Sequence, residues 1–536
     1  MKLKKTVFLI LISLISFCSK SFSDDKGKLS GALQVNQNFY QRDTTIGASG
    51  NPLYDRKLTG GEGWLNLQYN NSGFTLQTRF DFFNNSNLHK PTSPYSAQGI
   101  GMWSVSKELN KLTITAGYIY DQFGSGIVFR SYEDRGLGID NAIYGLQLKY
   151  KMLNDKVYLK AFTGKQKDLF STYDPIIKGI NAESFFDIKE KIQITPGVSI
   201  VNRTLDDDGF NKLVDEINGM ELSKRFIPKN NTYAYSVYNT TNWKNFTWYA
   251  EYAGKTSEAI RDTNAKVINK AGSVIFSTLN YSTKGFGITV QYKHTDFFKL
   301  RISPYSQEVF LKGMVSFQPP LAKQNSLRLL ARYNAATQEL GEQAFQTDFF
   351  WSPKKGYRIN GNYSHIDNGH GGYLFQEING DVEIKKIKNT TLEFGLQLLD
   401  FNLAIYQGHP DRPGIVHTIT PFTEVTYKLS EKKSIRTELQ YLHTKRDYGS
   451  WAYALIEFNF APHYSFAISD MYNTEPSDEV KHNQAHYYNF FASYTEHSTR
   501  FTIAYVKQVA GVVCTGGVCR LEPAFSGVKI GVSTVF

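Results

Sequence analysis

The last nine residues of the chain alternate between apolar and small or polar side chains. The segment runs from Val528 to Phe536 and reads V-K-I-G-V-S-T-V-F. Successive side chains of a strand point to opposite faces, so this segment has one apolar face. A terminal strand that ends on an aromatic residue is typical of an outer-membrane β-barrel, in which the last strand pairs with the first and leaves no open edge in lipid. The edge strand of a soluble sandwich is the alternative.

The same alternation recurs along most of the chain, for example at residues 74–82, 144–150, 286–292 and 392–398. One face of each segment is apolar and the other is small, polar or charged. The recurring polar face suits a water-filled lumen better than the dry core of a soluble barrel. Aromatic residues reach 15% while the mean hydropathy is only −0.37. Both values fit a barrel with aromatic girdles and two differently solvated faces.

The connections between these segments alternate between short and long. Longer connections include residues 44–61, 122–140 and 402–414, and a twelfth turn of intermediate length contains Pro319 and Pro320. We therefore predict an all-β fold, a large transmembrane antiparallel β-barrel of about 26 strands with short periplasmic turns and longer outer loops. This count assigns one strand to residues 204–240, and a different assignment of that stretch would change the total by two strands. Eleven connections are very short, at residues 71–73, 110–111, 154–155, 190–191, 243–245, 283–285, 353–356, 388–389, 431–432, 462–463 and 497–498.

The N-terminal segment has the pattern of a secretory signal peptide. Lys2, Lys4 and Lys5 precede an apolar run at residues 7–17, and Ser21-Phe22-Ser23 forms a small-x-small cleavage site. No later run of eighteen apolar residues predicts a membrane-spanning helix. We expect a signal peptide at residues 1–23 and an integral outer-membrane barrel at residues 24–536.

A barrel of this width would leak if its lumen were empty, so we expect outer loops to fold inward. The candidate is residues 122–140, in which the apolar core 126–129 should pack against another surface. Its charges allow two interpretations: they face a solute in a constricted lumen, or they pair with each other and anchor the loop to the wall. The charged residues in question are Arg130, Glu133, Asp134, Arg135 and Asp140.

The string D-Q-F-G-S-G-I-V-F-R-S-Y-E-D-R-G-L-G-I-D-N at residues 121–141 resembles the signature of a family of uncharacterised outer-membrane barrels from Bacteroidetes-type bacteria. Residues 513–520, V-C-T-G-G-V-C-R, resemble its second marker. The resemblance covers nearly the whole mature chain. It implies an outer-membrane barrel and no settled activity.

Two further stretches have weaker signals. Residues 204–215 contain D-D-D-G and resemble part of a calcium loop, but Thr204 stands where an acid is expected, so a solvated acidic turn is the alternative. His365, His370, His409, His417 and His443 are scattered without the spacing of a Ser-His-acid triad. We predict no metal site, no cofactor and no enzymatic activity.

Together these patterns favour a channel or binding protein for a polar or anionic solute. A barrel that docks partner proteins in secretion, assembly or adhesion is the alternative, and a lipid-acting enzyme is a third class. The expected partners are outer-membrane lipid, a small polar solute, and the barrel-assembly machinery, which would recognise Phe536. A protein partner belongs to the alternative, and no nucleic-acid partner is expected.

Cys514 and Cys519 flank Thr-Gly-Gly-Val. If the two glycines form a hairpin turn, the cysteines stand opposite each other, where side chains are close enough for a disulfide. A metal site would need two more ligands. We predict a disulfide: alkylation and mass spectrometry of the unreduced protein should find no free thiol at either position, and a free thiol would refute it. Losing the bond should cost little stability, because the loop it closes is very short.

Overall fold

The computed structural model describes residues 27–536, except residues 90, 92, 307–311, 370, 409–413, 480–483 and 516–517. At residues 512–515 and 518–519 only the backbone is described. The predicted signal peptide lies outside the described residues.

Twenty-four long strands form one antiparallel sheet. The last strand also pairs with the first, with Val532 opposite Val35, so the sheet closes into a barrel without a free edge. The barrel strands, named β1 to β24 in chain order, are Lys28–Tyr40, Thr59–Asn71, Phe74–Ser86, Tyr95–Leu109, Leu112–Ile119, Ile143–Met152, Val157–Asp168, Ser171–Ser184, Ile192–Thr204, Asn231–Trp243, Phe246–Arg261, Val267–Thr283, Phe286–Asp296, Gly341–Trp351, Tyr357–Asp367, Tyr373–Ile384, Thr390–Asn402, Ile415–Ser430, Lys433–Leu442, Ser450–Phe460, Tyr464–Glu475, His486–Glu496, Thr499–Gln508 and Phe525–Val535.

Smaller elements accompany the barrel. The short strand Phe186–Ile188 follows β8 and also pairs with β9. The α-helices are α1, Asp207–Asn218, and α2, Leu403–Gln407; single helical turns lie at Thr44–Ile46, Leu53–Lys57 and Leu222–Lys224. Three small hairpins pair Asp121–Phe123 with Phe129–Ser131, Glu133–Asp134 with Ile139–Asp140, and Gly511–Thr515 with Val518–Glu522.

The outward face of the barrel is apolar and the inward face is polar. On β17, for example, Leu396 and Leu398 are exposed on the outside, whereas Gln397 between them is buried inside. The same alternation holds on β12 to β22, where exposed aliphatic and aromatic side chains face outward. An apolar outer band suits lipid, and buried polar side chains on the inner wall show that the lumen is filled.

The eleven predicted short turns are confirmed, and all lie at one end of the barrel, from the β2–β3 turn to the β22–β23 turn. We call this the short-turn end. The opposite end, which carries most of the longer connections, is the long-loop end. Residues 204–240 contribute one barrel strand, β10, which is the number assumed in the predicted total.

The predicted class is confirmed, but the number of strands is 24 rather than about 26. The difference lies between β13 and β14, where the described residues 297–306 and 312–340 leave the wall and do not form a hairpin around Pro319 and Pro320. Phe298, Leu300 and Ile302 alternate like an outward-facing strand, yet all are buried. Proline has no N–H for a strand ladder, and this apolar run is covered by protein instead of lipid.

Residues 204–215, weighed as a calcium loop, instead lead into α1. Asp206 is the N-cap of this helix, and its carboxylate accepts a hydrogen bond from the backbone N–H of Gly209 at 3.1 Å. Asp207 and Asp208 lie in the first turn, where negative charge is favourable. A backbone that is helical from Asp207 onward lacks the loop shape that directs successive oxygens at a calcium ion.

Phe536 lies next to the closing strand pair. Its backbone N–H donates to the carbonyl of Gly31 at 2.9 Å and its carbonyl accepts from Gly31 N–H at 2.8 Å. Deleting Phe536 removes both bonds and the terminal aromatic, so the fraction of heat-modifiable, folded barrel in membranes should fall. Phe74→Ala, which truncates another exposed outward aromatic, is the matched control and should fold normally. Normal assembly without Phe536 would refute its role as an assembly signal.

Candidate functional site

Residues 120–142, which connect β5 to β6, fold into the barrel and are named the first insert. Ile127, Val128 and Phe129 are completely or almost completely buried. The ring of Phe129 stacks on that of inward-facing Phe162 on β7, with the ring centroids 4.4 Å apart. The apolar centre of the insert therefore packs against the inner wall, as its composition predicted.

Arg79 on β3 is the centre of a buried ion-pair cluster that ties the first insert to the wall. Its guanidinium donates to Asp81 at 2.6 and 2.8 Å and to Glu133 and Asp140 of the insert, each at 2.7 Å. Lys167 of β7 also pairs with Asp140. Arg79 is only 2% exposed. Buried charges are costly without partners, so each group in the cluster depends on the others.

Other predicted site residues are also engaged. Arg135 pairs with Glu133 at 2.8 Å and donates to Gln34 of β1 at 3.0 Å. The carboxylate of Asp134 accepts from the backbone N–H of Leu137 at 3.0 Å. These contacts support the anchoring interpretation. That the same residues constrict a solute path stays a prediction.

Residues 297–306 and 312–340, the described parts of the connection between β13 and β14, form a second insert, which the sequence pattern did not indicate. Its anchor is Lys293 on β13, whose ammonium donates to the carbonyl of Pro319 at 2.6 Å and pairs with Glu342 on β14 at 2.8 Å. The side chains of Lys293 and Glu342 are fully buried. One ion pair across neighbouring strands thus holds the insert where it leaves and rejoins the wall.

The middle of the second insert reaches a distant part of the wall. Leu329 and Tyr333 are buried there, among inward-facing side chains of β17 to β20. The insert is fixed by hydrogen bonds from Asn325 to Glu377 of β16 (2.9 Å), from Leu329 N–H to Gln440 of β19 (2.6 Å) and from the Tyr333 hydroxyl to Asp447 beyond β19 (2.9 Å).

The two inserts bind each other, and together we call them the plug. The N–H of Arg130 donates to the carbonyl of Val315, and the N–H of Phe317 donates to the carbonyl of Gly126, both at 3.0 Å. The Arg130 guanidinium lies 4.1 Å from the Phe317 ring centroid and 4.4 Å from that of Tyr132. Arg130 therefore joins the inserts by cation–π contact. The first insert contacts β1, β3 and β7, and the second insert contacts β16 to β19. Because these strands lie on different sides of the barrel, the plug spans the lumen.

A small cavity of about 50 Å³ lies between the first insert, β3 and residues 312–313 of the second insert. It has room for little more than water. His89 lines it, and burial together with the charge of Lys312 lowers the pKa of His89 to about 4, so this ring is neutral at neutral pH.

Between the plug and the short-turn end, the inward faces of β14 to β20 carry many carboxylates. A recess of about 580 Å³ opens beside Lys323 of the second insert. Four basic side chains lie in this region, Lys323, Arg358, Lys385 and Arg436. The carboxylates, named the acidic sector, are Asp348, Asp381, Glu383, Glu393, Glu424, Glu438 and Glu457.

The charges of the acidic sector are only partly balanced. Arg436 pairs with Glu424 at 2.9 Å and with Glu438 and Glu457 at 3.1 Å, so one cation serves three carboxylates. The wall at β2 to β5 is different, because amides and hydroxyls dominate its inward face. Gln77, for example, donates to Gln68 at 2.9 Å. The lumen therefore has one acidic side.

Sequence reasoning missed the wall residues that hold the plug, Arg79 and Lys293. A signal was available, because both stand at inward positions of strands with apolar outward faces. A charge at such a position needs a partner inside the barrel. The identity of the partners could not be found that way, since Glu133 is 54 residues from Arg79 in the chain.

The cysteine hairpin has the predicted register, in which Cys514 stands opposite Cys519. The side chains of these cysteines are outside the described atoms, so the disulfide stays a prediction. In the described part of the chain, no three His, Cys, Asp or Glu side chains are grouped to hold a metal ion. None of the described helices is both long and apolar enough to cross a membrane.

The fold and site define a large antiparallel β-barrel whose lumen is occupied by two of its own loops. The chain belongs to a family of unknown function, DUF6029, which matches residues 1–536. The resemblance to an uncharacterised family is thereby confirmed, and the bacterial group in which the family occurs stays a prediction. No curated protein matches the chain.

Three solved structures illustrate the similarity to other barrels. The siderophore receptor PirA from Pseudomonas aeruginosa is 8% identical, with 96% of this chain and 81% of that chain covered and a TM-score of 0.41. A BenF-like porin from Pseudomonas fluorescens Pf-5 is 11% identical, with coverage of 69% and 93% and a TM-score of 0.37. OccK5 (OpdH) from Pseudomonas aeruginosa is 10% identical, with coverage of 83% and 98% and a TM-score of 0.34. Similarity this distant carries no argument about function.

Arg79→Met should release the first insert from the wall. The substitution leaves Asp81, Glu133 and Asp140 without their shared cation, which costs about 3–5 kcal/mol for a broken buried pair. Amide hydrogen exchange at residues 121–140 should therefore speed up while the strands stay protected. Arg358→Met, which removes an inward arginine that hydrogen-bonds to Asn360 on its own strand, is the control. Equal exchange in both variants would show that the cluster does not hold the insert.

Proposed function

We propose that this protein is an integral outer-membrane channel or binding protein for a small polar solute, closed in this conformation by its plug. The observation that carries the proposal is the plug itself: two loops of the wall, joined to each other and to inward-facing charges, across a lumen with a polar wall. A polar lumen that is blocked by two connections of the wall suits controlled passage better than a purely structural role.

The location in the outer membrane is supported by the chain's own features. The outward face is apolar, every long strand is paired on both sides, and no edge is left to meet lipid. The predicted signal peptide at residues 1–23 and the terminal Phe536 fit export and recognition by the barrel-assembly machinery. In this orientation the short-turn end faces the periplasm and the long-loop end faces outside.

The acidic sector narrows the solute class. The sequence suggested a polar or anionic solute, and the amide- and hydroxyl-rich wall supports the polar part. Seven carboxylates against four basic side chains produce a negative potential on one side of the path. A negative potential attracts cations and repels anions. We therefore favour a neutral or cationic solute.

The second candidate function is docking of a partner protein, and one observation favours it. Leu222 and Ile227, in the connection between α1 and β10, are 81% and 87% exposed at the long-loop end. Large apolar side chains that project into water suit a protein contact. Such a role does not require the plug to move.

We propose no catalytic role. Ser450, His443 and Glu475 lie together, with the Ser450 hydroxyl 3.1 Å from His443 Nδ1 and 3.1 Å from Glu475. In a Ser-His-acid triad the serine and the acid contact opposite ring nitrogens. Here the carboxylate is also nearest to Nδ1, at 3.7 Å, and Ser450 is fully buried.

The proposal is tested by removing residues 125–137, which contain the apolar centre and the Arg130 contact. Because these residues fill part of the lumen, conductance in planar bilayers should rise severalfold over the full-length protein. Under a salt gradient the reversal potential of the deletion variant should show preference for cations. Adding Glu393→Gln and Glu424→Gln to the deletion should reduce this preference, since both carboxylates belong to the acidic sector.

The matched control for charge is Asp174→Asn in the same deletion background, because Asp174 is an exposed carboxylate paired with Lys165 on the outer face. It should leave the reversal potential unchanged. If the deletion variant inserts normally and its conductance equals that of the full-length barrel, the channel proposal fails and partner docking becomes the better account.

A further inference from the structure

A row of histidine and aspartate side chains faces outward near the long-loop end. The row is confined to one side of the barrel, between β13 and β22, and residues 27–283 contain no histidine except the inward-lying His89. We call the row the outer histidine belt. Its members are His294, His365, Asp400, His417, His443, Asp470 and His486.

The belt lies at the boundary of the apolar outer band that is nearer the long-loop end. On each of these strands, the outward side chain that lies two residues closer to the short-turn end than the belt member is aromatic or aliphatic. Ile419 follows His417 in this way, Leu398 precedes Asp400, and all such positions are exposed or partly exposed. A sharp change from apolar to polar side chains marks the level at which hydrocarbon ends and lipid headgroups begin.

Two histidines of the belt are oriented by carboxylates. Nδ1 of His417 lies 2.6 Å from Asp400, and Nδ1 of His486 lies 2.6 Å from Asp470. The ring of His486 also stacks on Tyr472, with the centroids 4.5 Å apart. The histidine side chains are 70% and 64% exposed. A carboxylate on Nδ1 fixes the ring so that the other nitrogen, Nε2, is directed away from the pair.

We propose that these two dyads bind the phosphate groups of lipid headgroups around the barrel. In a ring protonated on both nitrogens, Nδ1–H donates to the aspartate and Nε2–H donates to a phosphate oxygen. Both hydrogen bonds are charge-assisted and therefore stronger than neutral ones. The inference rests on the membrane location proposed above, but not on channel activity.

A metal ion is the less suitable occupant. Each dyad supplies one imidazole and one carboxylate, and the described residues contain no third His, Cys, Asp or Glu placed to complete a site. A lipid phosphate needs only one donor at the correct height. The position of the dyads at the edge of the apolar band supplies that height.

The test measures lipid preference by electron paramagnetic resonance in phosphatidylcholine vesicles that contain the full-length barrel. Spin-labelled phosphatidic acid, phosphatidylcholine and stearic acid are compared by the motionally restricted fraction at the protein surface. We expect the native protein to favour phosphatidic acid. In the double variant His417→Gln, His486→Gln, its relative association constant should fall by roughly twofold to fivefold, as expected for lost hydrogen bonds.

The control is His365→Gln, since His365 belongs to the belt but its Nδ1 has no hydrogen-bond partner among the described residues. It should retain most of the preference. Asp400→Asn with Asp470→Asn keeps both rings and should reduce the preference in the same direction, which covers the case that the histidine variant folds poorly. Heat-modifiability reports folding of each variant.

Several outcomes would overturn the inference: no preference for phosphatidic acid in the native protein, an equal loss in His365→Gln, or an equal loss for stearic acid, which would indicate charge alone. Displacement by inorganic phosphate would indicate a small-anion site. The two proposals can fail separately. A barrel that prefers phosphatidic acid but does not conduct refutes only the channel, and a barrel that conducts but shows no lipid preference refutes only the lipid contact.

Discussion

A closed ring of 24 strands encloses more space than the side chains of its own wall can fill. The fold depends on this constraint. Every backbone group of a strand in lipid must be paired, which forces closure, and closure at this strand number creates a wide lumen. The chain fills the lumen with residues 120–142, 297–306 and 312–340, which belong to two connections between neighbouring barrel strands. This filling explains why the inner wall is polar and carries buried ion pairs. It also explains why the connection between β13 and β14 does not contribute two further barrel strands.

Charge acts together with apolar burial to determine where the plug is seated. Phe129 on Phe162 is a contact that many apolar pairs could provide. The Arg79 cluster and Lys293 are selective, because a buried charge needs an opposite charge or a hydrogen-bond partner at close distance. Such contacts select one arrangement of an interface that is also apolar, because one buried hydrophobic cluster joins both inserts to the wall.

The two faces of the wall solve different problems with the same period-2 pattern. Inside, charges are paired or concentrated in the acidic sector, where they set the potential of a path. Outside, polar side chains are found mainly near the ends, and the His417–Asp400 and His486–Asp470 dyads lie at one boundary of the apolar band. Strand position along the barrel axis therefore determines whether an outward polar residue meets lipid tails, headgroups or water.

Much of the fold was predictable because its signals are local. Alternation along single strands indicated a barrel, the short turns located one end of it, and the apolar residues at 126–129 indicated that the first insert would turn inward. The hairpin register of Cys514 and Cys519 also followed from two adjacent glycines. Each of these features depends on residues a few positions apart, so the sequence alone determined them.

Only the tertiary structure decided what each face touches. Phe298, Leu300 and Ile302 have the pattern of a lipid-facing strand, yet protein covers them, and for this reason the count was too high by two strands. The partners of Arg79 in the first insert and the members of the outer histidine belt come from segments far apart in the chain. The physical reason is that alternation shows which side chains share a face, whereas the surface opposite that face is supplied by distant residues or by lipid.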